Sequence, residues 1–219
     1  MKICCISDTH KQHTHLNLPS SLEVETIIHS GDFSGSKQSL HDFLIWYSAL
    51  PYKNKILVAG NHDVFVEEMG YALFFNLCES LGVIYLEDSS VEIDGVKFHG
   101  SPWSNTFGWW SFMADEVDLE EYWNLIPLDT DVLITHGPAY GKGDRVNNNW
   151  NSDKHVGSKT LLKRLEVLKE LKLHVYGHIH ESYGVYYDEN QQFLSCNASS
   201  LDYYKPVLNE VLVFTLNPL

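Results

Sequence analysis

The chain has 219 residues, 44% hydrophobic and 13% aromatic, enough to fill one sizeable core and too apolar for a disordered chain. Its apolar runs fall far short of the roughly 18–20 residues of a membrane-spanning helix, so no membrane span is expected. A formal charge of −14, from 29 acidic against 15 basic residues, disfavours a protein that binds duplex DNA by neutralising phosphates; no stable nucleic-acid binding is expected.

Met1-Lys2-Ile3-Cys4-Cys5-Ile6 runs directly into a first strand, with no cleavable signal peptide ahead of it. Cys4, Cys5, Cys78 and Cys196 show no C-x-x-C spacing, and two of them lie inside that apolar run, as reduced thiols of a cytoplasmic protein do. Short β-rich runs follow at Thr26-Ile27-Ile28, Lys55-Ile56-Leu57-Val58, Asp131-Val132-Leu133-Ile134 and Leu173-His174-Val175-Tyr176. Continuous runs of this length read as strands buried on both faces. Between them, Leu40, Phe43, Leu44 and Tyr47 repeat with helical spacing, with Ser39 and Asp42 as a variant capping box and Pro51 past the end. A second helix is predicted over about 65–81, closed by Gly82, and a third along the stripe Leu161, Leu165, Leu168 and Leu171. Alternating strands close the chain near 183–187, 192–196 and 210–216. With no repeat and no linker, residues 1–219 read as one domain, and βαβα followed by hairpins predicts an α/β sandwich of mixed sheets.

Two stretches fit neither period. Residues 100–116 are aromatic and irregular; Trp103, Phe107, Trp109 and Trp110 would stack on a nucleobase, or else plug a sheet edge or form a homodimer contact. Residues 137–157 are rich in Gly and Asn, and Lys142, Arg145 and Lys154 there would meet a phosphate or base, or simply be solvated.

The polar clusters that end the strands carry the chemistry. They are Ser7-Asp8-Thr9-His10, Gly31-Asp32, Gly60-Asn61-His62-Asp63, Thr135-His136-Gly137-Pro138 and Gly177-His178-Ile179-His180. Each predicted central strand thus delivers Asp, Asn or His at its carboxyl end, where α/β sheets place their ligands. In extended backbone the i, i+2 pairs Asp8/His10 and His178/His180 point to one face. A set of carboxylates, an amide and imidazoles without thiolates suits a borderline-hard divalent metal such as Mn²⁺, Fe²⁺ or Zn²⁺. There are too many donors for one tetrahedral site, and two metals sharing a carboxylate fit the number better.

The ordered set D-x-H, G-D, G-N-H-D, H and G-H-x-H resembles the calcineurin-like metallophosphoesterases, from Asp8 to His180 and into the hairpins beyond. Gly100-Ser101-Pro102-Trp103, His136-Gly137-Pro138, His178-Ile179-His180-Glu181 and Asn197-Ala198-Ser199 resemble the branch of metallophosphoesterase-domain-containing proteins, although that branch usually reads H-G-P-P where this chain has Ala139. The resemblance implies a four-layer α/β–β/α sandwich of two mixed β-sheets flanked by helices. It implies a first metal on Asp8, His10 and His180, a second on Asn61, His136 and His178, and Asp32 bridging them; Mn²⁺ is the leading identity, with Fe²⁺, Zn²⁺ or Ni²⁺ behind it. It also implies hydrolysis of a small phosphodiester, a 2′,3′- or 3′,5′-cyclic nucleotide foremost. Two ions about 3.5–4 Å apart bind one hydroxide between them for in-line attack on phosphorus.

His62 is then placed to protonate the leaving alkoxide or to stabilise the phosphorane, with Asp63 either orienting its imidazole or capping the next helix. Arg145, Trp109 and Tyr183 are the expected substrate contacts. His13 and His15 read as loop residues, and His29, His41, His99, His155 and His174 as scaffold. The competing functions on the same fold are a phosphomonoesterase or phosphoprotein phosphatase, a nuclease, and a metal-binding scaffold without catalysis. No P-loop, complete G-x-G-x-x-G or G-x-S-x-G occurs.

Overall fold

The computed structural model describes residues 1–148, 151–188, 191–202 and 208–216. Two sheets face each other. The first has the order β15-β1-β2-β3-β4, formed by β1 (Lys2–Ile6), β2 (Thr26–Ser30), β3 (Asn54–Val58), β4 (Ile84–Tyr85) and β15 (Leu212–Thr215). Within it β1 to β4 are parallel and β15 is antiparallel to β1. The second has the order β13-β14-β12-β9-β6-β5, formed by β5 (Ser89–Ile93), β6 (Val96–Ser101), β9 (Val132–Thr135), β12 (Leu173–Tyr176), β13 (Gly184–Asp188) and β14 (Gln191–Asn197). Its four central strands are parallel and its two edges antiparallel.

The strand alternation explains the layers. Ile3 and Cys5 of β1 join Val132 and Ile134 of β9 and Leu173 and Val175 of β12 in the core between the sheets. Cys4 and Ile6 point the other way, towards α1 (Lys37–Ala49) and α3 (Tyr71–Ser80). Leu133 packs beneath α4 (Glu116–Asn124) and α5 (Lys159–Val167). The result is the expected four-layer sandwich of two mixed sheets flanked by helices. Burial of both sheet faces is why the strands read as continuous apolar runs.

Local details depart from expectation. The α1 capping box lies earlier, with Ser36 accepting from the Ser39 N–H and Ser39 Oγ accepting from the Ser36 N–H. The helix predicted over 65–81 is two helices, α2 (Val64–Met69) and α3, broken where Gly70 takes φ 79°. The last stripe leaves the helix after Val167, although Leu168 and Leu171 remain buried. Within 100–116 lie the short strands β7 (Ser104–Asn105) and β8 (Met113–Ala114), and within 137–157 a hairpin of β10 (Arg145–Asn148) and β11 (Asn151–His155). All four cysteines are buried free thiols. No helix among the described residues is long and apolar enough to cross a membrane.

Candidate metal centre

The loops after β1, β2, β3, β9 and β12 converge at one end of the sandwich, where the carboxyl ends of both sheets meet. They are stitched by backbone: the Asp8 N–H donates to Gly31 O at 2.9 Å, His10 N–H to Asp32 O at 3.1 Å, and Gly177 N–H to His136 O at 3.0 Å. Asp8, His10, Asp32 and His178 have φ of 48°, 39°, 61° and 69°, and they are four of the eight non-glycine residues with positive φ among those described. Such backbone costs on the order of 1–3 kcal/mol per residue and persists where surroundings over-determine it. Here the positive φ turns each side chain back over its strand end, into a common volume.

Two overlapping groups of donors result: Asp8, His10 and His180, and Asp8, Asp32 and His136, each with one ligand atom per residue mutually within 4.8 Å. Asp32 Oδ1 lies 3.4 Å from His136 Nε2, and its Oδ2 lies 3.6 Å from His10 Nε2. His10 Nε2 and His180 Nε2 approach to 3.4 Å. Asn61 Oδ1 stands 2.8 Å from His136 Nε2, while His136 Nδ1–H donates to Ser30 O at 2.9 Å. His178 belongs to neither group; its ring lies 4.9 Å from that of His136, with Phe107 packed on it at 5.3 Å.

These residues fit divalent cations. Asp8 is fully buried, and its Oδ1 accepts no hydrogen bond, His180 Nε2 standing 3.3 Å away without hydrogen-bonding geometry. Its other oxygen is fixed by the His178 N–H at 2.9 Å and the Ser199 hydroxyl at 2.8 Å. A buried carboxylate with one oxygen so held and the other bare calls for a positive charge. The imidazoles supply it in part. Burial pulls the Asp8 carboxyl up, but His180, His136 and His10 outweigh it and hold the group well below the usual carboxylate range. Asp32 is likewise held low, burial being outweighed first by His136. Burial opposes protonation of His136, yet Asp32 and then Asp8 beside it raise the ring to about 9. Burial, with His136 next to it, pushes His178 down to about 3.

Close approach is made possible by glycine. A Cβ on Gly177 would collide with Asp8 Oδ2 and Ser7 Oγ, and one on Gly60 with Asp32 Oδ1 and His136 Cε1.

Over the donors opens a cavity of about 1160 Å³, lined on the metal side by Asp32, Asn61, His62, His178 and His180. The His62 ring stands at its rim, 4.2 Å from the Trp110 ring and 5.0 Å, edge-on, from that of His10. Asp63 neither orients His62 nor caps α2 with its side chain. Its fully buried carboxylate accepts the N–H groups of Asp32, Gly60 and Ser34 at 2.8 Å each, that of Phe33 at 3.2 Å and the Ser34 hydroxyl at 2.8 Å. It clamps two ligand loops together. Burial and the Asp32 carboxylate push it up to about 7, against the pull of the Ser34 and Gly60 donors.

The expected substrate contacts divide. Trp109 is fully exposed and lies outside the cavity lining, which Trp110 and Phe107 join instead. Tyr183 turns away, its hydroxyl donating to Glu210 O at 2.8 Å. Arg145 is exposed on β10, outside the lining, with Nε donating to His155 Nε2 at 3.3 Å. His155, read from sequence as scaffold, lines the cavity. Only its place inside the Gly/Asn-rich stretch 137–157 could have signalled that.

Known proteins are similar to this chain in sequence and in fold. The family described as Calcineurin-like phosphoesterase matches residues 1–182, which contain every donor named above. Metallophosphoesterase domain-containing protein 1 of Homo sapiens is 32% identical over 235 aligned residues, covering 97% of this chain and 70% of that protein. A UPF0046 protein of Caenorhabditis elegans is 32% identical over 230, covering 95% and 74%. The fold is similar to a solved structure at TM-score 0.62 and 12% identity, covering 90% of this chain and 89% of that one. It is also similar to a putative 5′-nucleotidase from Staphylococcus aureus in complex with alpha-ketoglutarate, at TM-score 0.52 and 13% identity, covering 99% and 56%. With the ligand loops all inside the matched region and two relatives aligned over nearly the whole chain, this protein belongs to the calcineurin-like phosphoesterases.

Proposed function

We propose that the chain is a phosphodiesterase that works with two divalent cations on small phosphodiesters, 2′,3′- or 3′,5′-cyclic nucleotides foremost. Mn²⁺ is the favoured metal and Fe²⁺, Zn²⁺ or Ni²⁺ the alternatives, all matched to nitrogen and oxygen donors. The observation that carries this reading is Asp32, whose two oxygens face different imidazoles at 3.4 and 3.6 Å, a disposition suited to one carboxylate shared by two ions. Asp8, His10 and His180 would hold one cation and Asn61, His136 and His178 the other. When bound, such cations supply charge to phosphoryl oxygens and lower the pKa of water towards about 7.

The protein's own side chains do the rest. His62 Nε2 lies 4.0 Å from Asp32 Oδ2, and the His62 N–H donates to Asp32 Oδ1 at 2.8 Å, which fixes the backbone beneath the ring. From the rim, this imidazole delivers a proton to the departing alkoxide oxygen. Trp110 packs on His62 and Phe107 on His178, and both are exposed enough to offer faces for a base.

The test is turnover of bis-p-nitrophenyl phosphate, p-nitrophenyl phosphate and cyclic nucleotides by metal-stripped protein with and without Mn²⁺. Mn²⁺-dependent cleavage of the diester above the monoester, with one cyclic nucleotide preferred, is the expected result. Preference for the monoester would replace the reading with a phosphomonoesterase. No turnover despite two bound metals would replace it with a scaffold. His62→Ala should lower kcat more for poor leaving groups than for nitrophenolate; equal losses would argue against proton donation.

A further inference from the structure

Behind His155, which lines the same cavity, lies a buried carboxylate that the metal centre does not use. Asp144 is fully buried. Its Oδ2 accepts the N–H groups of Gly141 and Gly157 at 3.0 Å each, and its carbonyl accepts the Val156 N–H at 3.1 Å. Those three bonds already close the base of the β10–β11 hairpin. The remaining oxygen, Oδ1, accepts Nδ1–H of His155 at 2.6 Å. Backbone therefore holds one side of the carboxylate rigid while the other side aims an imidazole.

His155 lines the same cavity as Asn61, His62, His178 and His180, with the Tyr140 ring 5.2 Å away. With the proton on Nδ1, a neutral imidazole carries its lone pair on Nε2. Arg145 Nε donates to that nitrogen, which marks it as an acceptor; at 3.3 Å the bond is long for an N–H donor, and His155 is 29% exposed, so a donor on a ligand would take the place of the Arg145 N–H. A lone pair backed by a buried carboxylate selects an O–H or N–H donor over an anionic phosphate oxygen. On a 3′,5′-cyclic nucleotide whose phosphate sits at the metal loops, the 3′ and 5′ oxygens are esterified and the sugar donor left beside the phosphate is the 2′-hydroxyl.

We propose that His155, aligned by Asp144, accepts a hydrogen bond from a sugar hydroxyl of the substrate and so favours ribonucleotides over deoxyribonucleotides. This rests on the nucleotide reading of the cavity and names the part of the ligand that His155 recognises. Asp144 is the positioning residue, and His155 touches the ligand.

The experiment is calorimetric titration of the Mn²⁺-loaded protein with adenosine 5′-monophosphate and its 2′-deoxy and 3′-deoxy analogues. One analogue should bind roughly five- to tenfold more weakly than the ribonucleotide, the loss of a single neutral hydrogen bond. His155→Phe should bring all three within about twofold, whereas His155→Gln, which keeps an acceptor, should retain part of the discrimination. Equal binding of the three nucleotides by the wild type, no binding of any, or discrimination that survives His155→Phe would overturn the proposal. Turnover of bis-p-nitrophenyl phosphate by the wild type, an ester without a sugar, reports separately on the phosphodiesterase reading. Turnover without ribose discrimination sinks only the role of His155; discrimination without turnover sinks only the catalytic reading.

Discussion

His136 Nε2 and Asn61 Oδ1 face each other at 2.8 Å, although the other nitrogen of the same ring already donates to Ser30 O at 2.9 Å. In the neutral ring both facing atoms are acceptors, so the contact requires a proton or a cation between or beside them. Asp32 and Asp8 hold a proton there against the burial that disfavours it, raising the ring to about 9. A divalent ion meets the same requirement with two ligands at once. Asn61→Ala and His136→Ala are each expected to lower bound metal from two ions towards one per chain and to cut kcat by about a hundredfold or more, with the circular dichroism unchanged. Elemental analysis of the purified variants checks the first and diester turnover the second. Full metal content and activity in both variants would remove Asn61 and His136 from the centre.

The glycines beside the donors give a prediction that leaves every ligand in place. Gly177→Ala introduces a Cβ into Asp8 Oδ2 and Ser7 Oγ, and Gly60→Ala one into Asp32 Oδ1 and His136 Cε1. Each is expected to weaken metal affinity by about tenfold or more, through displaced ligands alone. Gly35→Ala is the control, since its Cβ would meet only the Lys11 side chain at 3.6 Å, an ordinary contact. Competition with a chelating dye measures all three. Equal affinity in Gly177→Ala and Gly35→Ala would show that the cradle tolerates a methyl group.

The residues that converge on the candidate metal centre were legible from sequence because each ends an apolar strand, and buried strands of a parallel sheet announce themselves as short continuous runs. What was missed lacked such contrast. Helix α4 buries only Leu119 and Trp123, one i, i+4 pair in an otherwise exposed acidic segment, so its stripe is too narrow to see. The β5–β6 hairpin carries a usable signal, Asp94-Gly95, both at positive φ, after a strand, β5, that alternates in burial. The strands β10 and β11 are polar apart from Val146, and their pairing rests on Asp144 holding Gly157 and His155 across the turn. That long-range carboxylate contact leaves no periodicity to read. The same holds for Asp63, which sits where a helix cap is expected and instead reaches 29 to 31 residues back to the loop after β2.

Asp63→Ala tests that clamp. Removing a buried acceptor leaves four backbone donors of the ligand loops unsatisfied, at a cost of about 3 kcal/mol or more. For a chain of this length the melting temperature should fall by roughly 6–12 °C. Bound metal should fall with it, because the Asp32 and Gly60 amides are among those released. A scan of the variant with and without Mn²⁺ measures both; a melting temperature within about 2 °C of the wild type would show that the loops hold without it.

The two neighbouring tryptophans should behave differently. Trp110, 45% exposed, packs on His62 and lines the cavity, whereas Trp109 is fully exposed and outside the lining. Trp110→Ala should lower kcat/KM for cyclic nucleotides by about tenfold, combining a lost stacking face with a less restrained His62. Trp109→Ala should change it by less than about twofold. The reverse order would mean that the loop between β7 and β8 closes over substrate and brings Trp109 inside.

Acid should destabilise the fold through buried histidines outside the candidate donor set. Burial pushes His174 and His29 down to about 3 and His99 to about 4, each from an ordinary value of 6.5. The structure shows what protonation costs at two of them. Thr135 Oγ1–H donates to Gly137 O at 2.6 Å, so at 2.8 Å it accepts from His174 Nε2–H, and a second proton on His174 would fall on Nδ1, buried without a partner. His99 is alike, with Nδ1 on the Ser90 hydroxyl at 2.8 Å and a buried, unpartnered Nε2. Because the folded pKa lies below the unfolded one, the unfolded chain binds more protons between pH 6.5 and the folded value. Stability from each group is therefore fully present above 6.5 and is lost as pH falls through that window, by up to about 1.4 kcal/mol per pH unit. Asp8 and Asp32 act separately and lower, their contribution being present above the ordinary carboxylate value and lost only as pH falls beneath it. Urea midpoints between pH 7 and 4.5 should fall in the wild type, and His99→Gln should flatten that slope by close to one proton whatever its stability at pH 7. An unchanged slope in the variant would show that His99 takes up its proton in the folded state at no greater cost than in the unfolded chain.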